Sequence, residues 1–222
     1  MIFKVWNKNN KEKFISVVTP VSGRNDLFVE TIKSIQDQTS KDFEWIITDD
    51  TADIEERSRI MDSVAKFAVE NPHIQTTYIF TKPRLYQSKN VNQGLRLAEG
   101  KFVHIFHSDD LMHPDTIGHE IRYLKKYPDC ACFYYKETLF YDKPDLHHKD
   151  GISFVCPKLF LDIDYLAGHP LPSASVFNRE LLMRTPLMDD RFKFICDFDL
   201  FFSFTKEAIK AKKFFIYSNA AF

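Results

Sequence analysis

The sequence lacks the features that would set it apart from an ordinary globular protein. Its charges nearly cancel: 30 Lys and Arg against 31 Asp and Glu leave a net charge of -1. No basic stripe of the kind that tracks a nucleic-acid backbone stands out, so no nucleic-acid partner is expected. Cysteine is scarce. Cys130, Cys132, Cys156 and Cys196 form no pair of Cys-x-x-Cys motifs, which argues against a structural zinc site. Cys130 and Cys132 are expected on one face of a strand, where they cannot easily bridge, and reduced thiols of a cytosolic protein follow. No apolar run reaches membrane-spanning length. Met1 to Lys13 lacks the long apolar core and small-residue cleavage site of a secretory signal. Internal repeats, low-complexity stretches and linkers are missing too.

What is present is a chain of 222 residues with 44% hydrophobic content, including 22 Phe. That is enough for one large domain with a real core. Phe14 to Val18 reads as a first strand, stopped by Pro20. A loop holding Gly23 leads to a helix capped by Asn25 or Asp26, with Phe28, Ile32 and Ile35 on its inner face. Phe43 to Thr48 is a second strand. Asp53 and Glu56 then form an Asp version of the capping box, opening a helix with Ile60, Val64 and Phe67 inside and ending at Asn71-Pro72. Thr76 to Phe80 is a third strand. Val91, Leu95 and Ala98 mark a helix expected to stop at Gly100 as its C′ glycine. Phe102 to Phe106 is a fourth strand, and Ile117, Ile121 and Leu124 mark a helix ended before Pro128. Cys130 to Tyr135 is a further strand. The alternation of strand and helix predicts an α/β fold, a mostly parallel sheet with helices on both faces. From Glu137 to Ala174 the pattern weakens into loops and short strands, a region suited to shaping a substrate site. Helices are expected over Asn178–Arg184 and Asp197–Ala208, with a short strand at Phe214–Tyr217.

Acidic residues gather at strand ends. The second strand runs into Asp49-Asp50, and the fourth runs into Ser108-Asp109-Asp110. The carboxyl end of an open α/β sheet is where ligands bind. Two adjacent carboxylates repel one another and persist most easily around a cation, such as a divalent ion carrying phosphate oxygens. An Asp pair can also do no more than cap the next helix. A third cluster, Asp197-Phe198-Asp199, comes late in the chain and could equally cap its helix. Lys89 and Arg84 lie where a cation could meet a diphosphate, though each also reads as surface. His147-His148 reads as solvated loop. His169, near Ser173, reads as polar surface or as an acceptor contact.

These pieces together resemble a family-two glycosyltransferase of the GT-A fold, over about residues 14 to 217. Phe14-Ile-Ser-Val-Val-Thr-Pro20 resembles the family's opening strand, and Ile32 to Thr39, with Gln38-Thr39, its first helix. Phe43 to Asp50 resembles the strand that reaches the nucleoside. Asn92-Gln-Gly94 with Ala98-Glu-Gly100 resembles the helix before the metal motif. Ser108-Asp-Asp110 with Pro114-Asp115 resembles the DxD region, and Asp197-Phe-Asp-Leu200 the block carrying the catalytic base. The resemblance implies a single GT-A domain over 1–222, with a nucleotide-binding half at 14–135 and an acceptor-binding half at 136–222. It implies an inverting enzyme that moves a sugar from a nucleotide-sugar, a UDP-sugar in the first instance, to a hydroxyl of a saccharide or lipid-linked saccharide. The setting would be surface-glycan synthesis, in the cytoplasm or at the membrane periphery. Thr19 and Pro20 would line the base and ribose. Asp50 would face the base with Asp49 beside it. Asp109 would approach the ribose or the metal shell, and Asp110 would bind Mn2+ or Mg2+. Asp197 would be the general base.

Three positions depart from the family pattern. His107 stands where another Asp is common, Cys196 stands where Glu usually precedes the base, and the sequence ends soon after that block. Two other readings stay open. A sugar nucleotidyltransferase would carry a Gly-rich phosphate loop after the first strand, and only Gly23 and Arg24 are there. A nucleotide-sugar-binding module without catalysis would account for His107 and Cys196.

Overall fold

The computed structural model describes residues 1–9, 11–136, 153–156, 172–192 and 195–221. The strands are β1 (Ile2–Trp6), β2 (Ile15–Val21), β3 (Phe43–Asp49), β4 (Gln75–Phe80), β5 (Phe102–Ile105), β6 (Cys130–Lys136), β7 (Ser153–Cys156), β8 (Ser175–Asn178) and β9 (Phe214–Ala221). They form one nine-stranded sheet in the order β1-β4-β3-β2-β5-β8-β6-β9-β7. β2, β3, β4 and β5 are mutually parallel, and β6 and β9 share their direction. β1, β8 and β7 run against them. The helices are α1 (Asn25–Gln36), α2 (Ile54–Glu70), α3 (Tyr86–Leu97), α4 (Thr116–Lys126), α5 (Arg179–Leu182) and α6 (Cys196–Lys210).

Helices cover both faces, and the strands' period-two alternation divides the core accordingly. On one face Ile15, Val17, Trp45 and Ile47 meet Phe28 and Ile35 of α1, Val64 and Phe67 of α2, and Ile117 and Leu124 of α4. The Trp45 and Phe67 rings meet edge to face at 4.6 Å, a preferred aromatic geometry. On the other face Val18, Ile46, Val103 and Ile105 meet Val91 and Leu95 of α3 and Leu200 and Phe204 of α6. Each fully buried aliphatic or aromatic side chain contributes about 1.5–3 kcal/mol, so the two layers hold the sheet rigid beneath its loops.

Local signals explain most boundaries. Asp53 caps α2 as expected, accepting from the Glu56 N–H at 2.7 Å. Asn178 caps α5 by accepting from the Leu181 N–H at 3.2 Å. Several expectations are corrected. Neither Asn25 nor Asp26 caps α1: both lie inside the helix, and Arg24 precedes it in the left-handed region at φ 57° without a side-chain cap. Gly100 is not a C′ glycine. α3 ends at Leu97, Ala98 is extended, and a Cβ on Gly100 would come 2.6 Å from the Ser16 nitrogen, so glycine is needed for close approach to β2. Gly94 lets α3 lie on the sheet in the same way, since a Cβ there would meet Val18 Cγ1 at 2.4 Å. Cys130 and Cys132 do not share a face. An irregularity in the pairing of β6 with β9 falls between them, which leaves Cys130 in one core layer and Cys132 in the other. Cys130, Cys132 and Cys196 are free and buried, and burial pushes the Cys130 thiol up to about 12. Sequence patterning does not mark β1, an edge strand with Phe3 and Val5 exposed, or β8. Most of the stretch from 137 to 171, with His147, His148 and His169, lies outside the described residues. Among the described residues no helix is long and apolar enough to cross a membrane.

Candidate active site

A cavity of about 330 Å³ opens at the carboxyl ends of β2, β3 and β5. β2 sits between the other two, and the chain crosses from β4 on one side of it to β5 on the other, a reversal of strand order at which open α/β sheets place ligands. The end of β2 supplies Pro20, and the loop after it supplies Ser22 and Arg24. The end of β3 supplies Asp50. The segment entering α3 supplies Arg84, Tyr86 and Asn90, and the turn after β5 supplies His107 and Asp109.

Asp50 is 2% exposed. Its Oδ2 accepts from the Tyr86 N–H at 2.8 Å and lies 3.5 Å from Arg84 Nε. Arg84 also donates to Ser22 Oγ at 2.6 Å, so one guanidinium spans both loops. Asn90 donates through Nδ2 to the carbonyls of Thr48 (3.0 Å) and Val21 (3.3 Å), tying β2 to β3 where they end. Among the described residues, three buried polar atoms of the lining have no hydrogen-bond partner: Asp50 Oδ1, Asn90 Oδ1 and His107 Nε2. Buried polar groups are nearly always paired, so these atoms mark places for a ligand's own donors and acceptors. Asp109 pairs with Arg24 at 2.9 Å.

Of the residues expected at the nucleotide, Pro20, Asp50 and Asp109 line the cavity, whereas the side chains of Thr19 and Asp49 are not brought to it. Thr19 is fully buried, and its hydroxyl accepts from Trp45 Nε1 at 3.0 Å. Asp49 continues the alternation of Trp45 and Ile47 into the core. Its Oδ2 accepts from the Tyr78 hydroxyl at 2.6 Å and its Oδ1 from the Thr51 N–H at 2.8 Å. Burial pushes the Asp49 carboxyl up, against these hydrogen bonds that pull it down. Its partner Tyr78 is pushed up by burial and by the Asp49 charge.

Asp110 lies beside the cavity lining. Its carboxylate accepts from the Ser173 hydroxyl, and His107 Nδ1 is 4.0 Å away. The turn is clamped from below by Thr31 of α1, which donates to the carbonyls of Ser108 and Asp110 at 2.9 Å each. Gln38 has a scaffolding role: its amide donates to the His113 carbonyl at 2.8 Å and accepts from the Ile117 N–H at 3.0 Å. Thr39 bonds the Pro114 carbonyl through its N–H at 2.8 Å. Among the described residues no three His, Cys, Asp or Glu side chains converge on one point. The donor set nevertheless fits a hard divalent ion. Mg2+ is usually held by one or two carboxylates and completes its shell with substrate phosphates and water, and here Asp110 and Asp109, with the unpartnered Nε2 of His107, flank the cavity.

Asp197 is half-buried in the first turn of α6, with Oδ1 accepting from the Phe198 N–H at 2.9 Å. Cys196 is 1% exposed and belongs to the second core layer, so packing accounts for that position. Lys89 pairs with Asp190 at 2.8 Å and does not line the cavity. Asn92 exchanges hydrogen bonds with the Met188 backbone at 2.8 and 3.0 Å, which fixes the segment before α6 against α3.

The sequence matches the model of glycosyl transferase family 2 over residues 16–185. The chain belongs to that family. An uncharacterized glycosyltransferase of Rickettsia typhi is 23% identical over 212 residues, covering 90% of this chain and 61% of its own length. One from Rickettsia conorii is 32% identical over 114 residues, 50% of this chain and 17% of that protein. An uncharacterized Sinorhizobium fredii protein is 24% identical over 84% of this chain, which spans only 20% of it. Among solved structures, S. aureus TarS in complex with UDP superposes with a TM-score of 0.73 at 17% identity, over 94% of this chain and 60% of that one. A Pyrobaculum calidifontis mannosyltransferase in complex with GDP-Man and Mn2+ gives 0.65 at 19% identity, over 92% and 54%. The fold of this family member is therefore GT-A.

Sequence reasoning undervalued three residues of this site. Arg84 reads as surface, yet it lines the cavity. Arg24 depends on a left-handed backbone that no neighbour announces. Asn90 looks like any helical asparagine until its two carbonyl partners are seen.

Proposed function

We propose that this glycosyltransferase moves a sugar from a UDP-sugar to a saccharide or lipid-linked saccharide hydroxyl with inversion, in surface-glycan synthesis at or near the cytoplasmic face of a membrane. The observation that carries the reading is the cavity at the ends of β2, β3 and β5 with its unpartnered acceptors on Asp50 and Asn90. A uracil offers an imide N–H, the donor that Asp50 Oδ1 lacks. Complexes of TarS with UDP and with UDP-GlcNAc support a uridine nucleotide in a cavity of this fold. Pro20 lines the base and ribose, with Thr19 and Asp49 holding the strands behind them. Arg24 and Arg84 face the nucleotide's negative charge. Residues 14–135 form the nucleotide half, and 136–222 the acceptor half.

Asp110, aided by Asp109, holds Mn2+ or Mg2+ against the diphosphate. When bound, such an ion would supply positive charge against the leaving diphosphate. Asp197 takes the proton from the acceptor hydroxyl, a role worth typically ~10²–10⁴-fold. Attack from the face opposite the diphosphate needs one base and no covalent intermediate, unlike the paired carboxylates of a retaining glycosidase. A thermal-shift panel of nucleoside diphosphates and nucleotide-sugars, with and without manganese, tests the reading through mass action. UDP and one UDP-sugar should raise the melting temperature most, and that sugar should be slowly hydrolysed to UDP. Stabilisation without turnover would point to a binding module, and a preference for GDP would overturn the uridine assignment.

A further inference from the structure

Beneath the Asp109-Asp110 turn, the core holds a charge pair that the donor cavity does not use. His104 on β5 and Glu120 on α4 are both fully buried. His104 Nδ1 lies 3.0 Å from Glu120 Oε1, and Nε2 lies 2.9 Å from the Ser173 carbonyl. The Ser173 carbonyl can only accept, so Nε2 donates to it, while Nδ1 faces the Glu120 carboxyl at ion-pair distance without an aligned hydrogen bond. Burial pushes this ring's pKa down. The Glu120 charge, the Ser173 carbonyl and the Asp110 charge outweigh it and leave the pKa raised. The Tyr135 hydroxyl completes the cluster at 3.2 Å from both Glu120 Oε1 and the Ser173 carbonyl.

A buried ion pair is a costly way to hold a core together, and apolar residues of the same volume usually do it as well. What this pair holds is a point of backbone. Ser173 sits in a short turn, Pro172–Ala174, just before β8. Its carbonyl is gripped by His104 and Tyr135. On the other side its hydroxyl donates to Asp110 Oδ2 and accepts from the His107 N–H at 3.2 Å. The contacts run unbroken from Glu120 through His104 and Ser173 to Asp110.

We infer that His104, Glu120 and Tyr135 are positioning residues: they lock the Ser173 backbone so that its hydroxyl fixes the Asp110 carboxylate and the His107 turn at the mouth of the donor cavity. The inference rests on the proposed role of Asp110 toward the metal-bound diphosphate. Outer groups that orient a ligating carboxylate commonly alter affinity without touching the ligand.

The test is calorimetric UDP affinity with and without manganese, alongside denaturant midpoints, for Ser173→Ala, His104→Leu, His104→Gln and the reference Asp110→Ala. Ser173→Ala and His104→Leu should weaken the manganese-dependent affinity by roughly 3–10-fold, the scale of one lost hydrogen bond, and leave the metal-free affinity unchanged. His104→Gln keeps a donor toward the Ser173 carbonyl and should restore most of the loss. Equal weakening with and without manganese would mean a purely structural role and overturn the inference. So would unchanged affinity in Ser173→Ala, a variant that keeps the buried pair and should fold. If Asp110→Ala abolishes the manganese increment and Ser173→Ala does not, only the inference fails. If Asp110→Ala retains the increment, the metal-site reading fails and takes the inference with it.

Discussion

The two Asp-Asp pairs end the two parallel strands that flank β2, and the molecule uses them in opposite order. Asp49 is the last residue of β3 and obeys its alternation, so it enters the core with Trp45 and Ile47 and bonds Tyr78. Asp50, one step later, reaches the cavity. β5 ends at Ile105, and by Asp109 the chain has left the sheet. There the first member lines the cavity, against Arg24, while the second turns to Ser173. A doubled carboxylate says little about which member works. Its distance from the last ladder residue, and the partner that receives the other member, decide it.

The late acidic pair poses the same question and should give the largest effect. Asp197→Asn keeps shape and loses the base, so transfer should fall roughly 10²–10⁴-fold with UDP affinity intact. Asp199→Asn should cost much less, because residues two apart on a helix point in different directions. A reversed ranking in a radiolabelled-sugar transfer assay would move the base to Asp199, and two active variants would make the pair structural. Next in size is Asp50→Ala. Losing a charge-assisted hydrogen bond should weaken UDP binding by roughly 10–100-fold in calorimetry, with or without manganese. A loss seen only with manganese would place Asp50 in the metal shell and erase the contrast between the pairs.

The contrast also shows where the sequence was legible. Phe28, Ile32 and Ile35 of α1 and Ile60, Val64 and Phe67 of α2 are all buried as their spacing requires, because a helical stripe is a local pattern. The Asp53 cap is local in the same sense. β8 is not: Ser175–Asn178 becomes a strand by antiparallel pairing with β5 and β6, partners remote in sequence. Arg84 cannot be told from a surface cation until Asp50 and Ser22, from two other loops, come beside it. The buried pair of His104 and Glu120 likewise exists only once α4 lies on β5. Motif order exposes the family. It does not reveal the tertiary groups that aim the carboxylates.

Two substitutions sharpen the contrast at smaller cost. Asp110→Ala should remove the manganese-dependent increment of UDP affinity, on the order of tenfold, and leave metal-free binding alone. Asp49→Ala should do the reverse. It strands the buried Tyr78 hydroxyl and the Thr51 N–H, so urea denaturation should show a loss of about 1–3 kcal/mol with UDP affinity unchanged in the folded fraction. A drop in affinity at full stability would return Asp49 to the nucleotide site.

The smallest effect concerns the helices that follow the two pairs. α2 is capped by Asp53 and carries no histidine, whereas α4, without a side-chain cap, carries His119 half-buried against Tyr123 and Phe133. Burial first, and then the Arg122 charge, push the His119 pKa down from 6.5 to about 4. The folded ring therefore stays neutral where the unfolded ring takes a proton. Between pH 6.5 and about 4 the unfolded state binds more protons, so stability is full above that interval and falls as pH drops through it. Solvent screening at this half-buried site holds the loss to roughly 1 kcal/mol. His119→Phe keeps a ring beside Tyr123 and Phe133 and cannot titrate, so its urea midpoints at pH 7, 5.5 and 4.5 should fall less steeply than those of the unaltered chain. Parallel slopes would show that the acid sensitivity arises elsewhere, with the buried carboxyls of Glu44 and Asp49, which burial pushes up, excluded by sign, since they lose protons and stability as pH rises.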